Sequence, residues 1–223
     1  MNSEPKAIPF WSEPEIASSI SGTLLHLEQH GVLAYPTETV YGFGGAIDSA
    51  SVSTLVALKR RPETKPFLLL ISDSSMIDRL GLQLSNAASM LAARFWPGPL
   101  TLVLAGGERR VAARLRGPEG GIAVRWTPHP GLQRLISAMG DPLTSTSANL
   151  PGTPPAMNAA TVVRDWSQSI SRGTLRVLDG GTLTASAPST VVDCTGRSPR
   201  VIRPGAISAE ALRAAVPSLV GDR

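Results

Sequence analysis

The sequence predicts an α/β layered domain built on a sheet of mixed direction. Short apolar runs alternate with segments of helical periodicity along most of the chain, the pattern of helices layered on a sheet. Toward the C-terminus the apolar runs follow one another with fewer helices between them, so antiparallel neighbours are expected beside parallel ones. Of 223 residues, 42% are hydrophobic and 17% charged, which suffices for one sizeable core and is too apolar for a disordered chain.

The elements follow in order. Ser12, Pro14 and Glu15 make a helix start: a capping serine, a proline in the first turn and the glutamate of a capping box. Ile16, Ile20, Leu24 and Leu27 fall on one face, and Gly31 supplies the stop. Residues 32–35 then read as a short buried strand. A helix over 51–60 leads to an apolar strand over 67–71, and a helix over 85–95 ends at Trp96-Pro97-Gly98-Pro99. Strands are expected over 100–104 and 122–125, a helix over 130–139, a short strand over 143–145 and one helix over 159–170. Strands over 175–178, 190–194 and 200–202 and a last helix over 208–215 complete the pattern. Residues 180–188 are small and polar, the best place for a mobile lid. There is no internal repeat.

The formal net charge of +4 admits an anionic partner such as a nucleotide or RNA, and equally a mildly basic protein with neither. Cys194 is the only cysteine, so an intrachain disulfide is impossible and a cysteine-based zinc site is not expected. It sits in an apolar run and reads as a packed thiol rather than a nucleophile. His26, His30 and His129 lack metal-ligand spacing, and His129, between two prolines, reads as shaping a helix start. Arg109, Arg110, Arg114 and Arg116 suit either RNA phosphate or a solvated face. Residues 1–14 do not resemble a signal peptide, and no run approaches the roughly 20 apolar residues that cross a bilayer, so a cytoplasmic location is expected.

Four polar segments carry the candidate chemistry, each at the end of an expected strand, where ligands of open α/β sheets collect. Pro36-Thr37-Glu38-Thr39-Val40-Tyr41-Gly42-Phe43-Gly44-Gly45 offers hydroxyls, a carboxylate and backbone amides, and read alone is a turn or a site. Lys59, Arg60, Arg61 and Lys65 place four cations in seven residues, suited to a polyphosphate and also to a helix C-terminus. Residues 144–149 hold four hydroxyls and an amide. Residues 188–193 are followed by Arg203 at a strand end. Arg125 closes an apolar strand and needs a partner there, either a ligand carboxylate or a fixed protein carboxylate.

Together these segments resemble the YrdC family of threonylcarbamoyl-AMP synthases. The resemblance rests on residues 36–42, Lys59-Arg60-Arg61-Pro62, residues 95–101, Ala123-Val124-Arg125, Ser145-Thr146-Ser147-Ala148-Asn149, Ser189-Thr190-Val191-Val192-Asp193 and Ile202-Arg203-Pro204-Gly205, in the family's order. It implies a twisted open mixed sheet with flanking helices and a concave basic face. It also implies a YrdC-like domain over residues 15–208, an extension over 1–14, and a C-terminal helix and tail over 209–223. No second C-terminal domain, such as longer relatives carry, is expected.

The implied activity is a nucleotidyl transfer. L-threonine and bicarbonate form a carbamate, which attacks the α-phosphate of ATP and releases pyrophosphate, with magnesium on the phosphates. The product serves threonylcarbamoyladenosine modification of tRNA, through downstream threonylcarbamoyl-transferase proteins. The resemblance assigns Lys59, Arg61, Ser147 and Asn149 to the catalytic constellation at the nucleotide, and Lys65 and Arg203 to further ATP contacts. It assigns Thr37, Thr39, Arg125, Ser145 and Ser189 to the threonine pocket. Two positions depart from the family's pattern: Leu70 stands where many members have a histidine, and Pro155 where many have a serine. The rival reading is a non-catalytic module of the same fold that binds double-stranded RNA or tRNA. A carbamoyl-transfer relative with zinc-binding cysteines is set aside by the single cysteine.

Overall fold

The computed structural model describes residues 7–60, 66–108 and 110–220. Among them, one mixed sheet runs through the molecule with helices packed against it. In chain order the first half comprises β1 (Ile8–Pro9), α1 (Glu13–Glu28), β2 (Val32–Tyr35), β3 (Gly42–Gly44), α2 (Ser49–Lys59), β4 (Leu68–Ile71), α3 (Ser75–Arg79), β5 (Leu82–Gln83), α4 (Asn86–Phe95) and β6 (Leu100–Gly106). The second half comprises β7 (Ile122–Trp126), α5 (Pro130–Met139), β8 (Leu143–Ser147), α6 (Ala159–Asp165), α7 (Ser167–Ser171), β9 (Leu175–Asp179), β10 (Thr190–Asp193), β11 (Arg200–Arg203) and α8 (Ala209–Ala215).

The strand order is β1-β9-β2-β3-β8-β4-β7-β6-β10-β11, with the short β5 attached to β6. Parallel pairs β1–β9, β9–β2, β4–β7 and β6–β10 are interspersed with antiparallel pairs such as β2–β3, β3–β8 and β10–β11. The expected mixed direction is therefore what the sheet shows. No helix among the described residues is long and apolar enough to cross a membrane.

Local chemistry explains the elements that the sequence announces. Glu15 reaches back to accept from the Ser12 amide at 2.8 Å, closing the start of α1. Ile16 and Leu27 on its inner face are buried in the core. The His26 ring bonds the Val32 carbonyl through Nε2 at 2.9 Å, which ties the end of α1 to the start of β2. His129 caps α5, its Nδ1 accepting from the Leu132 amide at 3.3 Å while the ring stacks on Phe10. It shapes a helix start, as expected.

The elements that differ have physical reasons. β3 lies inside the glycine-rich segment that reads as a loop. Glycine is a poor strand former, so nothing in its propensity marks a strand. Here the small residues permit close approach: a Cβ on Gly44 would fall on the Thr144 carbonyl oxygen of β8. The single helix expected over 159–170 is broken at Trp166, whose backbone leaves the helical region (φ −123°) while its ring packs edge-on to Phe43 at 4.9 Å. β1, α3 and β5 are too short to show a period.

Two outcomes follow from this packing. Gly44→Ala forces β3 away from β8, and urea unfolding should show a loss of about 3 kcal/mol, at the upper end of overpacking effects. The Cys194 thiol is pushed up to about 12 by burial and by the adjacent Asp193 charge. Native protein should leave Cys194 unalkylated by iodoacetamide at pH 8, with full reaction only after denaturation, read by mass.

Candidate active site

A cavity of about 570 Å³ lies against one face of the sheet. Strand register decides what lines it, because residues paired across neighbouring strands point to the same side. Ser145 pairs with Leu68, and Leu68 with Ala123; one pleat on, Thr101 pairs with Val191, and Val191 with Arg203. All six line the cavity, and Arg125 joins them two residues along β7 from Ala123. Thr37, Thr39, Ser147 and Ser189 close it from strand ends. The expectation of a site at strand ends is thus half the picture, for the floor comes from residues within strands. Leu70 is paired with Arg125 but buried in the core, outside the lining. Pro155 does line the cavity and presents an apolar surface.

At one end lies Ser147; beside it and outside the lining, Lys59 ends α2 and is 4% exposed. Its ammonium turns away from its own helix to residues far along the chain, donating to the Ser147 carbonyl and, at 2.6 Å, to the Asn149 side-chain oxygen. Ser147 Oγ donates to the same oxygen at 2.6 Å. Asn149 Nδ2 is engaged by the Thr153 carbonyl. With its oxygen accepting twice, the amide of Asn149 has one orientation and the ammonium is held in place. Lys59, Ser147 and Asn149 are brought together. Arg61 and Lys65 lie outside the described residues, as does Arg109 of the arginine stretch.

At the other end, Arg203 donates through Nε and Nη2 to the Ser189 carbonyl and through Nη2 to Ser189 Oγ at 2.8 Å. Ser189 Oγ lies 3.0 Å from Thr101 Oγ1. Burial, and then the neighbouring Arg125, hold the Arg203 guanidinium below its usual pKa. Two cations that repel each other thus line one partly dry cavity, an arrangement that can receive anionic groups. Thr37 organises its own turn, its hydroxyl accepting from the Thr39 and Val40 amides at 3.1 and 3.2 Å. Ser145 is buried at the cavity wall.

The question of what Arg125 pairs with has an answer in this ligand-free chain: Nη1 lies 3.2 Å from Glu38 Oε1. The two side chains are 6% and 16% exposed, so the pair is nearly withdrawn from water. It is also incompletely bonded. Both carboxylate oxygens of Glu38 and the Nε of Arg125 are buried without a hydrogen bond among the described residues. Glu38 and Thr101 are the functional candidates that sequence reasoning passed over. Glu38 stands between two hydroxyls in a recognised segment, and that carboxylate is the signal; Thr101 ends the family-like segment 95–101 but reads by itself as the second residue of a buried strand.

Residues 180–188 pass over the first turn without regular structure. Tyr41 fastens their start, donating to the Gly181 carbonyl at 2.8 Å and accepting from the Gly180 amide at 3.0 Å. Ser186 Oγ donates to the Glu38 carbonyl at 3.3 Å and lines the cavity.

Comparison with known proteins agrees with this architecture. A family profile named Sua5_yciO_yrdC, described as "Telomere recombination", matches residues 26–205. The chain is 32% identical over 213 residues to a Bacillus subtilis protein named threonylcarbamoyl-AMP synthase, a match taking in 95% of this chain and 59% of that one. A Chromohalobacter salexigens protein of the same name is 36% identical over 180 residues, with 80% of this chain and 94% of that one covered. The structure of Pyrococcus abyssi Sua5 complexed with L-threonine superposes with a TM-score of 0.85 at 29% identity, covering 97% of this chain and 62% of that one. The chain therefore spans about three fifths of the Bacillus and Pyrococcus relatives and nearly all of the Chromohalobacter one. With a profile match reaching from α1 to the turn after β11, this chain belongs to the Sua5/YciO/YrdC family.

Proposed function

We propose that this chain is an L-threonylcarbamoyladenylate synthase, converting L-threonine, bicarbonate and ATP to threonylcarbamoyl-AMP, pyrophosphate and water. The observation that carries the reading is the shared cavity. Arg125 and Arg203 reach it from one side, and Ser147, bonded to Lys59 and Asn149, bounds it on the other. A carboxylate at Arg125 and phosphates toward Lys59 and Arg203 would each meet a cation. The named activity of the relatives and the threonine bound to Pyrococcus Sua5 support the same activity.

The chemistry then needs little beyond position and charge. Attack of a carbamate oxygen on the α-phosphate moves negative charge onto the pyrophosphate leaving group. Lys59, held by Ser147 and Asn149, would contribute its positive charge to stabilising that group, and Arg61 and Lys65 are assigned to the same phosphates. Thr37, Thr39, Ser145 and Ser189 would border the amino acid. The described residues include no group of three or more His, Cys, Asp or Glu able to hold a metal. Magnesium would thus be carried by the nucleotide, where it neutralises phosphate charge. The product is proposed to pass to transferase proteins that modify tRNA.

Pyrophosphate release from ATP and bicarbonate tests the reading, and it should depend on L-threonine. No release with any amino acid would leave a binding module. Lys59→Ala should lower kcat by at least about 100-fold, the scale of losing one oriented charge stabiliser. Arg125→Ala should raise the KM for threonine about 10- to 100-fold, the worth of a charge-assisted hydrogen bond, with the KM for ATP unmoved. Equal increases in both constants would remove Arg125 from the amino-acid pocket.

A further inference from the structure

We propose that Glu38 is a catalytic base, its carboxylate taking the proton from the α-ammonium of the amino-acid substrate so that the free amine can attack bicarbonate. The inference rests on the synthase reading and adds the step that reading leaves without a residue. An amino acid enters largely as a zwitterion, and an ammonium nitrogen has no lone pair with which to form a carbamate. Some group must accept its proton beside the place where the carboxylate is bound.

The geometry supplies one. If Arg125 holds the substrate carboxylate, the ammonium sits on the adjacent carbon. Glu38 Oε1 lies 3.2 Å from Arg125 Nη1, and it is the one carboxylate among the described residues ion-paired to a residue lining the cavity. Both of its oxygens are buried and make no hydrogen bond among the described residues. Buried acceptors are normally satisfied, so two on one carboxylate mark a place for a donor. A guanidinium and a carboxylate side by side complement the two charges of an α-amino acid.

The charges around Glu38 explain why the proton moves. Arg125 faces it from β7, the buried Tyr35 phenol of β2 lies close enough to feel both charges, and Arg203 on β11 faces Arg125. When the substrate carboxylate takes over Arg125, Glu38 loses its counter-ion. It is then a buried carboxylate opposite a buried ammonium, and transfer of one proton neutralises both. The steps balance. The ammonium proton goes to Glu38; the amine nitrogen forms a bond to the bicarbonate carbon; a C–O bond breaks; and the departing hydroxide leaves as water with a second N–H proton. Glu38 returns its proton to solvent on turnover.

The test is threonine-dependent pyrophosphate release by Glu38→Gln and Glu38→Asp between pH 7 and pH 9, with thermal melting as a check on folding. At pH 7, Glu38→Gln should lose at least about 100-fold in kcat, the scale of general-base catalysis. The deficit should shrink at least tenfold by pH 9, as more threonine arrives already as free amine. Glu38→Asp should keep the pH profile of the unaltered chain at a lower rate. If Glu38→Gln does not fold, Glu38→Asp decides alone: a wild-type pH profile at reduced rate supports the base, and unreduced activity overturns it. A Glu38→Gln deficit that stays constant from pH 7 to pH 9 overturns the proposal. So does an unchanged kcat with a lower threonine KM, which would make Glu38 only a stand-in for the substrate carboxylate on Arg125. Failure of the unaltered chain to release pyrophosphate with threonine is a separate result that overturns the synthase reading itself and this step with it.

Discussion

Charge withdrawn from water is the constraint around which this chain is organised. Arg125 and Arg203 line one cavity and Glu38 pairs with Arg125, and each of the three is at least half buried or paired. Such groups raise the energy of the folded state unless partners are placed for them. The surrounding fold reads as the apparatus that holds them. β7 presents Arg125 from within the sheet, the turn after β2 brings Glu38 to it, and the Ser189 carbonyl receives the fork of Arg203.

The sheet order makes this convergence possible. Strands far apart in the chain lie side by side, so Leu68, Ala123 and Ser145 form one row, and Thr101, Val191 and Arg203 another. A glycine-rich β3 at the centre lets β2 and β8 come together around it, with Tyr35 donating to the Thr144 carbonyl across the gap at 3.0 Å. The position of Lys59 depends on the same closeness, because Ser147 ends β8 and Asn149 lies two residues on.

Much of this was legible in the sequence, and the remainder fails for definite reasons. Long periodic segments such as α1 and α5 announce themselves through caps and apolar spacing, and buried strands such as β2 and β4 through unbroken apolar runs. β3 is silent because glycine carries no strand propensity. The break at Trp166 is silent because it depends on Phe43, more than a hundred residues earlier. Arg125 was visible as a charge in need of a partner, yet the choice of Glu38 is a matter of tertiary geometry. Lys59 shows the same limit: a cation at a helix end is legible as a dipole partner, while its reach to Asn149 is not.

The fastening of residues 180–188 by Tyr41 has a consequence for affinity. That segment is irregular, yet it is fixed at Gly180 and Gly181 by the phenol, at Leu183 by the Met157 carbonyl and at Ser186 by the Glu38 carbonyl. Those bonds give up part of its conformational entropy when the chain folds rather than when a ligand arrives. A wall fastened in advance lowers the ordering cost of binding, so polar contacts made beside Ser186 and Pro188 contribute more fully to retention of the ligand.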